Sequence, residues 1–520
     1  MRRRLIANTN KGFTPDNYLT IEALEDNLTV SFTNDVEYAI DSKEWVKLAS
    51  GSETQPINVG QTLNFRGEFT PNGSDGIGTF TINKKCNLKG NCMSMIFGDN
   101  AADNYSLSGK DYAFYNLFYG CSNIVNISSN FLPATTLAYG CYKDMFTYCT
   151  NLTTAPELPA TTLADYCYGD MFQDCTSLTA APELPATTLA DSCYNSMFRN
   201  CTKLTTAPAL PSTILANNCY NGMFSNCTSL TTAPELPATT LTKTCYIGMF
   251  SGCTSLVTAP ELPATTLADY CYHYMFNGCT SLTTAPELPA TTLASYCYSN
   301  MFQDCTSLTT APELPATTLA SYCYYRMFSD CRALATAPEL PATTLVDDCY
   351  NSMFEGCNSL TTAPELPATT LVYGCYATMF HGCTSLTTVP ELPATTLAQN
   401  CYSTMFKDCT SLTTVPSNLL PATTLANNCY SDMFWNCTSL TTVPVLPATT
   451  LANYCYSGMF NGCSSLNYIK CLATNISKYN CTGNWVSGVA STGTFVKASS
   501  MTSWTTGTSG IPTGWTVQNV

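Results

Sequence analysis

Charge, histidine and long apolar runs are all scarce in this chain. Only 11% of its 520 residues are Asp, Glu, Lys or Arg, and it has two histidines, His273 and His381. Two imidazoles in separate segments supply neither a catalytic triad nor a histidine-based metal cluster. No glycine-rich phosphate loop, metalloprotease helix or nucleophile elbow occurs, and Cys-x-x-Cys is absent, so the reading is of a non-enzymatic chain. No run is long and apolar enough to cross a bilayer. A net charge of −15 and a pI of 4.5 argue against nucleic acid or an anionic membrane as partner. The start, Met1-Arg-Arg-Arg4, is basic but lacks the apolar core of a secretory signal. A chain of this kind without a signal is expected in a particle released by lysis, such as a virion, whereas a mature cell-surface protein stripped of its signal would read the same.

What the chain has in abundance is one sentence repeated. Leu158-Pro-Ala-Thr-Thr-Leu-Ala-Asp-Tyr-Cys-Tyr-Gly-Asp-Met-Phe-Gln-Asp-Cys-Thr-Ser-Leu-Thr-Ala-Ala-Pro-Glu183 recurs thirteen times, with its first cysteine stepping by 26 residues, and once by 28, from Cys141 to Cys455. A second cysteine follows each first one after eight residues, in the pattern Cys-Tyr-x-x-Met-Phe-x-x-Cys. A fixed period of this size marks a solenoid, in which no unit buries its apolar face alone. Cys167, Tyr168, Met171, Phe172 and Cys175 follow the i, i+1, i+4, i+5, i+8 spacing of an amphipathic helix, which predicts a short helix with that stripe inward. The following Leu178 to Leu184 contains Pro182, with Pro185 beyond it, and suits a brief strand and turn.

The run Met-Phe-x-x-Cys-Thr-Ser-Leu-Thr-Thr-x-Pro resembles the leucine-rich repeat of the BspA-like surface-protein family, and it is matched in register more than a dozen times over roughly residues 86 to 470. The unit is a few residues longer than the usual family repeat, with Pro-Glu-Leu-Pro at the strand end. The resemblance implies an α/β repeat solenoid, one short strand and one short helix per rung, in a protein that adheres to surfaces. Its bacterial members imply binding to host matrix or other cells.

Three segments follow. Residues 1–85 carry two-residue alternation at Leu28–Phe32, Tyr38–Ile40, Ile57–Val59, Leu63–Arg66 and Thr79–Ile82, broken by turns such as Pro71 to Gly76, which predicts a small all-β, sandwich-like module that caps the first rung and attaches the chain. Residues 86–470 form the solenoid, starting with two atypical rungs around Cys92 and Cys121. Residues 471–520, with Trp485, Phe495, Trp504 and Trp515, read as a C-terminal cap; a sugar-stacking patch of exposed tryptophans is the alternative.

The 31 cysteines would be too far apart within a helix to pair, since eight residues span about 12 Å. The expectation is two ladders of buried thiols, with some inter-rung disulfides as the alternative. Between the constant positions, pairs of residues vary from rung to rung and should face outward. A recognition surface there would draw on Tyr166, Tyr270, Tyr296 and Tyr322 before the first cysteine. His273, Tyr274, Tyr325 and Arg326 would join it from the Tyr–Met gap, and Trp435 from before the second cysteine. Glu235, Glu261, Glu287, Glu313, Glu339, Glu365 and Glu391 form a column with carboxylates about 5 Å apart if strands pair. It is either a solvated row or a linear Ca²⁺ site, oxygen being the ligand on offer; no other cofactor is implied. The expected partner is a surface glycan or protein receptor, with self-association or attachment to a larger assembly through residues 1–85. The functional expectation is a receptor-binding, tail-fibre-type component of a phage virion; a bacterial adhesin and a plain spacer are the alternatives.

Overall fold

The computed structural model describes residues 14–71 and 73–520, so the basic start at Met1–Arg4 and one residue of the Pro71–Gly76 turn lie outside the described residues. The chain divides into two compact units, Met1–Leu210 and Pro211–Val520.

In the first unit, strands β1 (Leu19–Ala23), β2 (Val30–Phe32), β3 (Val36–Ile40), β4 (Val46–Leu48), β5 (Thr62–Arg66), β6 (Phe80–Ile82), β7 (Cys86–Gly90) and β8 (Ile124–Ile127) build two sheets. One has six strands in the order β4-β3-β5-β1-β7-β8, and the other pairs β2 with β6. Phe32, Phe65 and Phe80 meet between them with ring centroids 4.5–5.1 Å apart. The predicted segment Ile57–Val59 is reduced to a single bridge from Ile57 to Leu28. β7 pairs in parallel with β8, and Asn126 of β8 bridges on to Thr154, Ala180 and Thr206. The N-terminal sheet therefore runs without a break into the rungs of this unit.

The expected helix is not formed. Among the described residues the one α-helix is α1 (Ser94–Phe97), and each Cys-to-Cys segment is a string of tight turns. Its hydrogen bonds follow a strict alternation, as the rung around Cys297 shows. The N–H groups of Cys297, Ser299, Met301, Gln303 and Cys305 donate to the carbonyl three residues back. Those of Tyr296, Tyr298, Asn300, Phe302 and Asp304 donate to Ser321, Cys323, Tyr325, Met327 and Ser329 of the next rung, at 2.8–3.1 Å. Every backbone donor is satisfied, half within the rung and half between rungs. An α-helix would send every donor four residues back and leave none for a neighbour.

This path turns left-handed every fourth residue: φ is 56° at Tyr296, 56° at Asn300 and 60° at Asp304. A period of four keeps Cys297, Met301 and Cys305 on one face, and Tyr298 and Phe302 with them, at 0–1% exposure. The inward stripe read from the sequence is thus buried, but on a different backbone. Tyr272, Tyr298 and Tyr324 stack with centroids 5.8 Å apart, and Phe276, Phe302 and Phe328 at 5.6–5.7 Å, in near-parallel planes. Each buried ring contributes about 2–3 kcal/mol of apolar burial, and the offset stacking adds about 1 kcal/mol per pair.

The predicted strand shrinks to single parallel bridges, Thr284 to Thr310 and Thr292 to Thr318, because Pro312 and Pro315 remove the donors a longer ladder needs. Where prolines are missing, strands of four residues appear: β9 (Tyr468–Cys471), β10 (Thr494–Lys497) and β11 (Thr516–Asn519) pair in parallel in the order β11-β10-β9. The turn string also extends past Cys463, with left-handed Asn480, Asn484 and Gly488 and with Tyr456 and Phe460 donating to Cys481 and Trp485. Trp485 stands in the methionine place, fully buried, and stacks on Trp504 at 5.6 Å. With Trp515 also buried, the tryptophans are packing groups, not exposed sugar platforms.

All thirty-one cysteines are buried, and none forms a disulfide. The two ladders differ. The second-column thiols donate to the preceding rung, as from Cys305 Sγ to the Phe276 carbonyl at 3.1 Å and from Cys279 Sγ to Phe250 at 3.1 Å. In the first column the contacts run to the following rung and stretch to 3.9–4.0 Å, from Cys455 Sγ to the Cys481 carbonyl and from Cys323 Sγ to that of Cys349.

Candidate functional site

The left-handed positions show where this frame departs from its own rule. Only glycine enters that region freely, Asn and Asp tolerate it, and other side chains lose about 1–2 kcal/mol there. In the second unit the position before the second cysteine obeys without exception: Asn226, Gly252, Gly278, Asp304, Asp330, Gly356, Gly382, Asp408, Asn436 and Gly462. The position before the first cysteine does not. Three successive rungs place Tyr270, Tyr296 and Tyr322 at φ 56–59°, and the position between adds Tyr274 and Arg326 at 55° and 51°. Elsewhere in the second unit the frame uses Asn, Gly, Asp, Ser or Thr at these places, with Tyr454 the remaining bulky case, while the first unit has isolated bulky cases at Tyr112, Tyr148 and Tyr166.

Those five residues form one patch with two neighbours, His273 and Tyr325. Tyr270, Tyr296 and Tyr322 stack face to face at 4.6 Å, within 7° of parallel. His273 meets Tyr270 and Tyr296 edge-on at 5.5 and 6.2 Å and lies 4.2 Å from Tyr274. Its Nδ1–H donates to the Ser299 carbonyl at 3.1 Å, and burial lowers its pKa, so the neutral ring keeps Nε2 as an acceptor. Tyr325 meets Tyr322 edge-on at 5.7 Å, and the Arg326 guanidinium lies 5.8 Å from the Tyr325 ring centre. Because the stacked faces cover each other, the three tyrosines offer edges and hydroxyls. The hydrogen bond to Asp348 pushes the Tyr322 phenol up to about 12.

Beyond Arg326 a charged chain crosses the rungs. Arg326 Nη2 is 3.1 Å from Glu355 Oε2, and Glu355 Oε1 is 3.2 Å from His381 Nδ1. His381 Nε2 is 3.1 Å from Asp408 Oδ2, and Asp408 Oδ1 accepts from Asn436 at 2.7 Å. The members of this chain sit 26–29 residues apart in three slots of the repeat, Glu355 sharing one with His381 and Asp408 another with Asn436, so nothing in the sequence joins them.

The remaining candidates separate from the patch. Tyr166 belongs to the first unit, 5.5 Å from Tyr139. Trp435 is 37% exposed under Lys407, whose Nζ is 4.8 Å from its ring. The varied positions are not uniformly outward: Ser299, Asn300 and Asp348 are buried. From Glu235 to Glu391 the carboxylate column is exposed throughout, but among the described residues no three His, Cys, Asp or Glu side chains converge to hold a metal ion. The column is a row of exposed surface carboxylates. Also among the described residues, no helix is long and apolar enough to cross a membrane.

Residues 140–482 match the BspA type leucine rich repeat region in overlapping copies. That is well over half of the chain, and the chain belongs to this family. No curated protein and no solved structure matches it.

Proposed function

We propose that this chain is a non-enzymatic adhesion or receptor-binding protein that engages a surface ligand through the patch of Tyr270, His273, Tyr274, Tyr296, Tyr322, Tyr325 and Arg326. The observation that carries the reading is the cluster of bulky residues at left-handed sites. Five residues in three successive rungs accept about 1 kcal/mol or more of backbone cost each, where the neighbouring rungs of this unit hold Asn, Gly, Asp, Ser or Thr. Such departures mark functional sites, because the frame does not need them. Aromatic and Arg side chains are also the types that dominate binding interfaces.

The ligand is a glycan or protein on a bacterial surface, and the chain is a tail-fibre-type virion component attached through its N-terminal β region. Thirty-one buried cysteines without a disulfide support folding in a reducing cytoplasm before release over export as a disulfide-bonded adhesin. Antibody labelling separates the two: label on virions supports the reading, and label on cells alone rejects it. Asn tolerates the left-handed backbone, so the triple change Y270N/Y296N/Y322N tests the patch without breaking the frame. Binding to target cells should fall about a hundredfold, as hot-spot loss implies, with the melting temperature changed little. Full binding by the triple variant would refute the patch.

A further inference from the structure

We propose that Glu355, His381 and Asp408 form a proton-operated clamp across three rungs that holds the Arg326 end of the patch in place, closed when His381 is protonated and open when it is not. The regulatory meaning of this clamp rests on reading the patch as the binding surface.

The geometry needs the proton. Each ring nitrogen of His381 faces a carboxylate oxygen, at 3.2 Å on the Glu355 side and 3.1 Å on the Asp408 side. A carboxylate only accepts, so both nitrogens must donate, and only the imidazolium does so. A neutral ring turns a lone pair toward one carboxylate and loses that bond. The surrounding charges are Arg326 on Glu355, Lys407 over the Trp435 ring, and the Asp330–Arg332 pair, with Asp304 in range of both arginines. Of the two carboxylates flanking the ring, Glu355 is backed by the fixed cation Arg326, and His381 is the member whose charge changes near neutral pH. Hydrogen bonding to Glu355 raises the His381 pKa above its ordinary 6.5, while bonding to His381 and the charge of Arg326 lower that of Glu355 below 4.5 against its burial. A raised histidine contributes stability below its unfolded pKa and loses it as pH rises through the folded value; the lowered Glu355 loses its share as pH falls through its own. The clamp is closed between those limits. The backbone repeats the link, with Gly356 N–H on the His381 carbonyl at 2.7 Å and Gly382 N–H on that of Lys407 at 2.8 Å.

With only two histidines, ¹³C-histidine NMR of the full chain reads the clamp without any ligand, and His273 serves as internal reference. His381 should titrate above 6.5, and E355Q and D408N should each lower its midpoint by about half a unit or more. Amide exchange at Gly356 and Gly382, corrected for intrinsic rate, should rise about threefold or more from pH 6 to pH 8 in the native chain and stay flat in H381Q. Titration of His381 at or below 6.5, or the same pH response in H381Q, overturns the clamp. The cell-binding assay of Y270N/Y296N/Y322N judges the patch separately, so either reading can fail while the other stands.

Discussion

Alkali should unfold this protein abruptly, near pH 9. Burial pushes the thiols up, to about 12 at Cys193, Cys253 and Cys383 and further at Cys279 and Cys331, while the same groups in an unfolded chain ionise near 8.5–9. A pKa raised by folding means stability that is intact below the unfolded value and lost as pH climbs above it. Each buried thiol then costs about 0.4 kcal/mol at its unfolded pKa and about 1.4 kcal/mol one unit higher. Across thirty-one buried cysteines this reaches about 12 and then about 40 kcal/mol, against a usual domain stability of about 5–15 kcal/mol. Even two adjacent rungs, with four thiols, lose about 6 kcal/mol, so opening need not involve the whole chain. The buried tyrosines act in the same direction above about pH 10. The assay is circular dichroism with thiolate absorbance at 240 nm, both followed from pH 7 to pH 11 under reductant. Both signals should change together, steeply, between about pH 8.5 and 9.5. Thiolates that appear gradually in a protein that stays folded to about pH 10.5 would show that the ladders are wet, and would refute the reasoning.

Other outcomes are sharp in sign. The Tyr298 hydroxyl is buried without a hydrogen-bond partner while its ring stacks on both sides, so Tyr298→Phe should stabilise by about 1 kcal/mol, read by urea denaturation; a loss of 1 kcal/mol would reveal an acceptor. Phe302→Ala removes a fully buried rung of the phenylalanine ladder and should cost about 3–5 kcal/mol, whereas Trp435→Ala, at an exposed site, should stay within about 1 kcal/mol.

Much of the frame was legible because a repeated sentence exposes its own constants. The period, the buried stripe and the family resemblance all follow from Cys141 to Cys463 read in register. The helix did not follow, and the reason lies in the spacing. Cys297, Met301 and Cys305 recur every four residues, and an ideal helix would rotate them about 40° per step off a common face. A backbone that turns left-handed every fourth residue has a period of four and keeps them aligned. The signal was present in the column Asn226, Gly252, Gly278, Asp304, Asp330 and Gly356, a set confined to the residues that tolerate positive φ. It was read as free variation at the surface. The strands were overextended for a related reason: the prolines of Pro-Glu-Leu-Pro leave bridges of one residue. At the candidate site, the tyrosines could be named from residue type alone, but their mutual stacking and the Glu355–His381–Asp408 chain depend on which rungs touch.

The left-handed backbone at the tyrosine patch underlies both the turn frame and the binding surface, and backbone φ from NMR chemical shifts and HN–Hα couplings tests it most directly. Tyr270, Tyr296 and Tyr322 should give φ near +59°, +56° and +58°. Values near −60° at these residues, as in an α-helix, would contradict both the turn frame and the argument that places the binding surface upon it.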